Sequence, residues 1–247
     1  MPNEEAKPTP AQLAFRRFQP KLSGLSQLTE PWVTSGVSLA SRFVMQSMNR
    51  LEVEGLEKLE MLRQTRGAGL LTFSNHVSIL DDPLLLSCFG LRARAELRWI
   101  AADALNFFGG PVRAWFSNAG KCVPIIRGAG VDQLGLDFLV SRLKARDWVH
   151  VFPEGGRTRS PQALLKETFK SGVNRLVLEA RPKLLGFYHY GMHELLPIGA
   201  RIPRRGCRVH LRFGDAADAA IAGGDPARWM QAQLRTLELK LNPHAMK

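Results

Sequence analysis

The chain has 247 residues, 45% of them hydrophobic, which is enough to bury the core of one sizeable α/β domain. Its 34 Lys and Arg against 22 Asp and Glu give a net charge of +12, which selects an anionic partner surface, membrane or nucleic acid. No uncharged apolar run reaches the roughly eighteen residues an ordinary transmembrane helix needs. Cys88, Cys122 and Cys207 are odd in number and widely spaced, which excludes a disulfide framework and zinc-ligand spacing.

In chain order, residues 1–30 read as a disordered lead-in. Glu4 and Glu5 and four prolines by Pro20 leave no hydrophobic signal core and do not suit a standard presequence. Residues 31–50 form an amphipathic helix. Val33, Val37, Ala40, Val44 and Met48 share one stripe, Trp32, Leu39 and Phe43 widen it, and Ser38, Ser41 and Arg42 lie roughly opposite. That pattern fits a helix lying in a membrane interface and equally one packed on a core.

The rest, 51–247, reads as one layered α/β domain with a mixed, largely parallel sheet flanked by helices. Strands are expected at Ala68–Ser74, Leu97–Ala101, Cys122–Ile126, Trp148–Phe152, Leu184–Tyr190 and Cys207–Phe213. Helices are expected at Pro83–Leu91, Gly110–Ser117, Val131–Ala145, Thr168–Ala180 and Pro226–Leu241. No internal repeat is visible, and Gly128, Gly130 and Gly135 miss the dinucleotide-binding spacing.

Two blocks carry chemistry. The first is Asn75-His76-Val77-Ser78-Ile79-Leu80-Asp81-Asp82-Pro83. It follows a buried-strand pattern, and Asp82 as N-cap with Pro83 at the first helical position opens the next helix. His76 and Asp81 therefore fall in a strand-to-helix loop, where α/β sheets place ligands. Five residues apart on a straight helix would be about 140° apart, but a loop curling into a helix start can bring them together. Asp81 then accepts from one imidazole nitrogen and leaves the other as a base for an alcohol attacking an ester or thioester. Ser78 lacks the G-x-S-x-G elbow of a nucleophile.

The second block is Phe152-Pro153-Glu154-Gly155-Gly156-Arg157-Thr158. Gly155 and Gly156 admit a ligand close to the backbone, and Arg157 with Arg159 suits a phosphate. Glu154 suits a glycerol hydroxyl or the orientation of an arginine. His189 and His193 have helical metal spacing, but Gly191 interrupts it and the pair reads as structural. Arg201, Arg204, Arg205, Arg208 and Arg212, with apolar residues between them, read either as a solvated face or as a hold on an anionic bilayer.

With H-x4-D and F-P-E-G in this order, the chain resembles the glycerolipid acyltransferase superfamily, and within it the tafazzin family. The likeness runs from about Leu51 to Gly214. It includes Ser74-Asn75-His76, the doubled Asp81-Asp82-Pro83, Gly120-Lys121-Cys122-Val123-Pro124-Ile125-Ile126-Arg127-Gly128 and Asp147-Trp148-Val149-His150-Val151-Phe152-Pro153-Glu154-Gly155. Gly172-Val173-Asn174-Arg175-Leu176 and His189-Tyr190-Gly191-Met192 complete the series.

The resemblance implies transfer of a fatty acyl chain to the hydroxyl of a lysophospholipid, without an acyl-enzyme and without a cofactor or metal. His76 is then the base and Asp81 its partner, while Asn75, Arg127, Glu154, Gly155, Gly156 and Arg157 form the substrate-binding side. It also favours the interfacial reading of 31–50 and a peripheral or monotopic protein, at a mitochondrial membrane for a eukaryotic tafazzin. Expected partners are phospholipids, lysophospholipids and an anionic membrane surface.

Many tafazzins place Lys after F-P-E-G, whereas this chain has Gly156-Arg157-Thr158-Arg159, as in plant tafazzin-like proteins and lysophosphatidate acyltransferases. Phospholipid and acyl-CoA both stay open as donors, and an acyl-CoA-dependent lysophosphatidate acyltransferase is the alternative. Nucleic-acid binding lacks a motif and interleaved aromatics. A silent scaffold is disfavoured by the intact His76, Asp81 and Glu154.

Overall fold

The computed structural model describes residues 9–65, 67–86, 89 and 97–246. The strands are β1 (Arg50–Glu54), β2 (Leu70–Ser74), β3 (Trp99–Asp103), β4 (Cys122–Ile125), β5 (Trp148–Val151), β6 (Lys183–Tyr190), β7 (Arg208–Phe213) and the short β8 (Ala217–Asp218). They form one sheet in the order β1-β7-β6-β2-β5-β3-β4, with β8 beside β6. Pairing is parallel except where β6 meets β7 and β8. The expected mixed, largely parallel sheet is therefore the one found.

Both faces of the sheet are covered, so its central strands are buried along their length rather than alternating between buried and exposed. All five residues of β2 are buried. Leu71 and Phe73 join Val149, Val151, Leu184 and Tyr188 on one face, under α6 (Leu134–Lys144), α7 (Gly172–Ala180) and α9 (Pro226–Leu241). Leu70 joins Trp148, Leu185 and Phe187 on the other, where Thr72, Ser74, His150 and His189 are also buried. That second face thus carries a polar seam running to the carboxyl end of the strands. It also holds α3 (Leu56–Thr65) and α8 (Met192–Leu195), whose Leu59 and Leu195 belong to its core.

The lead-in departs from expectation. Pro10–Arg17 is a helix, α1, with a capping box between Thr9 and Gln12 and Pro10 at its start. Ala14 is buried, and Phe18 packs edge-on against Phe108 and Phe138. Arg17 donates to the Phe108 carbonyl at 2.8 Å. These contacts are long-range and polar at their rim, which prolines and charges in sequence do not disclose. Residues 1–8 lie outside the described part.

The amphipathic segment is helical, as α2 (Leu25–Arg42) continuing into a π-helical turn at Phe43–Met48, but its facing is the reverse of a core helix. Thr34, Ser38, Ser41 and Met45 turn inward and are buried, with Ser41 donating to the Pro83 carbonyl at 2.8 Å. Trp32 is 82% exposed, Leu39 72% and Phe43 58%. Next to it, α4 (Ala104–Phe108) and α5 (Pro111–Ala119) expose Leu105, Phe107, Val112 and Phe116.

Pro83–Leu91 begins as a π-helical turn at Asp81–Leu85; residues 87, 88, 90 and 91 lie outside the described part. The expected N-cap role of Asp82 is not found. Its carboxylate instead pairs with the buried Arg98, which donates through Nε at 2.6 Å. A buried guanidinium needs that charge more than a helix start does.

Candidate active site

The site forms where β2 and β5 end. Asn75, the first residue past β2, extends the β2–β6 ladder with its side chain. Its Nδ2 donates to the His189 carbonyl at 2.9 Å and its Oδ1 accepts the His189 N–H at 3.0 Å. The amide is 1% exposed, and through these two bonds Asn75 positions the loop.

His76 follows, gripped from every side. Its N–H donates to Glu154 Oε1 at 2.8 Å and its carbonyl accepts the Thr158 N–H at 2.8 Å. Its ring stacks on Phe152, centroids 4.0 Å apart and 13° from parallel. Nδ1 lies 2.9 Å from Asp81 Oδ2. The same Asp81 oxygen accepts the N–H groups of Val77 at 2.7 Å and Ser78 at 2.9 Å. The loop has curled around one carboxylate oxygen, which is what brings residues five apart into contact.

Asp81 is 2% exposed. Burial alone would push its pKa up, but the neighbouring His189 and His76 rings and the hydrogen bonds from His76 and Ser78 outweigh it, and the pKa lies below the ordinary value. Asp81 is therefore a carboxylate, so the contact needs a proton on His76 Nδ1 and leaves Nε2 turned away from it. Nε2 has no hydrogen bond among the described residues, and the side chain is 18% exposed. The geometry thus leaves an oriented imidazole with one bare nitrogen.

Two more histidines lie under the loop. His189 Nε2 donates to the Asn75 carbonyl at 3.2 Å and stands 3.7 Å from Asp81 Oδ2. His150 lies between Thr72, 2.9 Å from Nδ1, and Ser74, 3.4 Å from Nε2. Both are fully buried, and burial lowers both pKa values, so they pack as neutral rings. The structural reading of His189 stands, but its place directly behind the His76–Asp81 pair was not legible from its spacing to His193.

The Glu154 side chain lies between the two blocks. Its Oε1 accepts from His76 N–H and its Oε2 from Lys166 N–H, at 2.8 and 3.0 Å, and it is 1% exposed. Burial raises its pKa against the pull of those two N–H groups. Each oxygen accepts from a backbone N–H, so Glu154 ties the second block to the first.

The Gly155-Gly156 turn works as expected of glycine at its first position. Gly155 has φ +68°, and a Cβ there would stand 2.6 Å from Lys170 Cγ. Gly156 leaves room for the Arg127 guanidinium, which a Cβ would meet at 3.6 Å. Arg127 is held by Asp103, Nε to Oδ2 at 3.0 Å, with its side chain 59% exposed. Arg157 and Arg159 are exposed beside the turn.

Two cations escaped the sequence reading. Lys166 Nζ donates to the Gly156 carbonyl at 2.6 Å, and Lys170 lies over Gly155. Burial, together with the positive charges of Lys170, Arg127 and Arg159, pulls the Lys166 pKa down against the attraction of Glu154. Lys170, Arg127 and Arg159 are thus each close enough to act on Lys166, a grouping of like charge that suits an anion.

Comparison with known proteins gives the family. Residues 50–193, which contain both blocks, match the family model described as acyltransferase. Tafazzin of Drosophila melanogaster is 33% identical over 195 residues, covering 76% of this chain and 51% of that protein. The N-acylphosphatidylethanolamine synthase of Arabidopsis thaliana is 33% identical over 172 residues, covering 67% and 60% respectively. The chain thus spans about half of the first relative's length and three-fifths of the second's. The crystal structure of the 1-acyl-sn-glycerophosphate acyltransferase PlsC from Thermotoga maritima superposes with a TM-score of 0.63 over 92% of this chain and 86% of that one, at 19% identity. At that identity the likeness establishes the fold.

Proposed function

The chain belongs to the acyltransferase family, and from that footing we propose that it moves a fatty acyl chain onto the free hydroxyl of a lysophospholipid, with His76 as general base. The observation that carries this is the His76 Nδ1 to Asp81 contact at 2.9 Å, which puts the proton on Nδ1 and leaves Nε2 without a hydrogen-bond partner among the described residues. Nε2 takes the hydroxyl proton as the oxygen attacks the donor carbonyl. The imidazolium so formed is stabilised by the Asp81 carboxylate. When the tetrahedral intermediate collapses, the leaving group departs with that proton, as a thiol from acyl-CoA or as the hydroxyl of a lysolipid from a phospholipid donor. Arg127, Arg157 and Lys170 attract the phosphate that accompanies the hydroxyl.

The protein docks on the bilayer as a peripheral or monotopic protein. No helix among the described residues is long and apolar enough to cross a membrane. The support for docking is α2 with its π-helical continuation, which turns Trp32, Leu39 and Phe43 to the outside and Ser38 and Ser41 to the protein, the facing of an interfacial helix. Its contact with Pro83 puts that surface beside the His76 loop.

Acyl transfer to labelled lysophosphatidylcholine and lysophosphatidate in liposomes, with and without acyl-CoA, tests the proposal. Transfer without acyl-CoA makes the protein a phospholipid–lysophospholipid transacylase. Transfer to lysophosphatidate only with acyl-CoA favours the second reading, for which the arginines after Gly156 speak. No transfer to any lysolipid from either donor refutes both.

A further inference from the structure

Ile198 and Ile202 are 58% and 79% exposed, and they belong neither to α2 nor to the α4–α5 surface. They lie on the segment 196–206 between α8 and β7, with Arg201, Arg204 and Arg205 exposed among them. None of these three arginines has an ion-pair partner among the described residues, and the segment contains no acidic residue. A water-facing loop gains nothing from two bare isoleucines, and three unpaired arginines beside them define the charge of what covers it.

The base of the segment is fixed while its tip projects. Leu195 and Leu196 are buried. Arg204 N–H donates to the Leu195 carbonyl at 2.8 Å, and Gly206 N–H to the Met48 carbonyl at 2.9 Å. Cys207 N–H donates to Asn49 Oδ1 at 2.9 Å. Met48 ends the π-helical turn that continues α2, so the loop is tied to the element carrying the first apolar surface. It also follows the carboxyl end of β6, where His189 clamps Asn75, and so stands on the same rim of the sheet as His76.

We propose that segment 196–206 is a second membrane-docking element that takes an anionic leaflet. Ile198 and Ile202 enter the acyl region, and Arg201, Arg204 and Arg205 meet lipid phosphates. Two feet on one rim, this loop and α2, fix the tilt of the protein and keep the His76 loop toward the lipid. The inference rests on the reading above that the protein works at a bilayer, and adds the composition of that bilayer and the contact that orients it.

Cosedimentation of the full chain with phosphatidylcholine vesicles, with or without phosphatidylglycerol, tests it. Ile198→Ser with Ile202→Ser should lower the partition coefficient roughly a hundredfold on both vesicles, at about 1.5 kcal/mol per isoleucine. Arg201→Gln with Arg204→Gln and Arg205→Gln should lower it by roughly a hundredfold, about fivefold per arginine, on anionic vesicles alone. Melting temperatures should stay at the wild-type value, since every changed side chain is exposed. Loop variants that bind like wild type while Trp32→Ser with Leu39→Ser is released overturn the inference and leave the membrane reading intact. Wild-type protein that binds neither vesicle removes the membrane reading itself. Loop variants that keep vesicle binding but change the sedimentation coefficient assign the surface to a second copy of the chain, and also overturn it.

Discussion

Replacing Asp81 by Asn isolates the charge of the dyad from its geometry. The amide oxygen can occupy the position of Oδ2 and accept the same N–H groups of Val77, Ser78 and His76. The NH2 then falls where Oδ1 has no hydrogen-bond partner among the described residues. What disappears is the attraction between carboxylate and imidazolium. At a charge separation of about 4 Å and an effective dielectric near 20, that attraction is about 4 kcal/mol. The imidazole is 18% exposed, and screening by solvent reduces the figure to about 3 kcal/mol. The turnover of Asp81→Asn should therefore fall between about 10²- and 10³-fold, with an unchanged apparent KM for the lysolipid. Initial rates of acyl transfer in liposomes measure it, with circular dichroism confirming the fold. A folded Asp81→Asn protein within tenfold of wild-type turnover refutes the reasoning.

Further outcomes follow from the same geometry. Because the Asp81 pKa is held below its ordinary 3.8, its contribution to stability is complete above that value and is lost as pH falls through the lower folded-state pKa. The stability difference between wild type and Asp81→Asn, from urea unfolding, should thus shrink from neutral pH toward the acid side of 3.8; a constant difference contradicts the shift. Glu154→Gln leaves a single acceptor for two buried N–H groups, those of His76 and Lys166. It should cost about 1–3 kcal/mol in urea unfolding and slow turnover as the loops loosen; a neutral effect means Glu154 does not brace them. Arg127→Ala should chiefly raise the apparent KM for the lysolipid, and an unchanged KM takes Arg127 out of the acceptor site. Asn75→Ala strands the His189 N–H and carbonyl and should cost about 2–4 kcal/mol, measured by the same unfolding experiment.

What the sequence discloses here is set by the range of the interactions. The buried strands are legible because a two-faced parallel strand is apolar along its whole length, and β2, β4, β5 and β6 lie within one or two residues of their expected spans. α9 runs over Pro226–Leu241 as expected, since Asp225 accepts the Arg228 N–H and caps it, and Pro226 starts it. β1 was missed because Arg50-Leu-Glu-Val-Glu is an edge strand with charges on one face. The His76–Asp81 pairing was legible because it closes within one loop. The task of Glu154 was not, because its partners are 78 and 12 residues away and are backbone groups, which no side-chain pattern records. The facing of α2 was equally hidden: an amphipathic stripe has the same period whether its apolar side meets a core or a lipid. The backbone pairing of Asn75 was hidden for a related reason, since a polar residue beside a catalytic histidine can serve the substrate or the backbone, and only tertiary structure shows such a pairing.

The most direct measurement compares wild type with His76→Ala in liposomes that carry a labelled lysophospholipid and either phospholipid alone or added acyl-CoA. If Nε2 of His76 is the base, the wild-type protein transfers the acyl chain and the folded variant does not, whichever donor serves. A folded His76→Ala protein that acylates the lysolipid at the wild-type rate contradicts the mechanism proposed here at its centre.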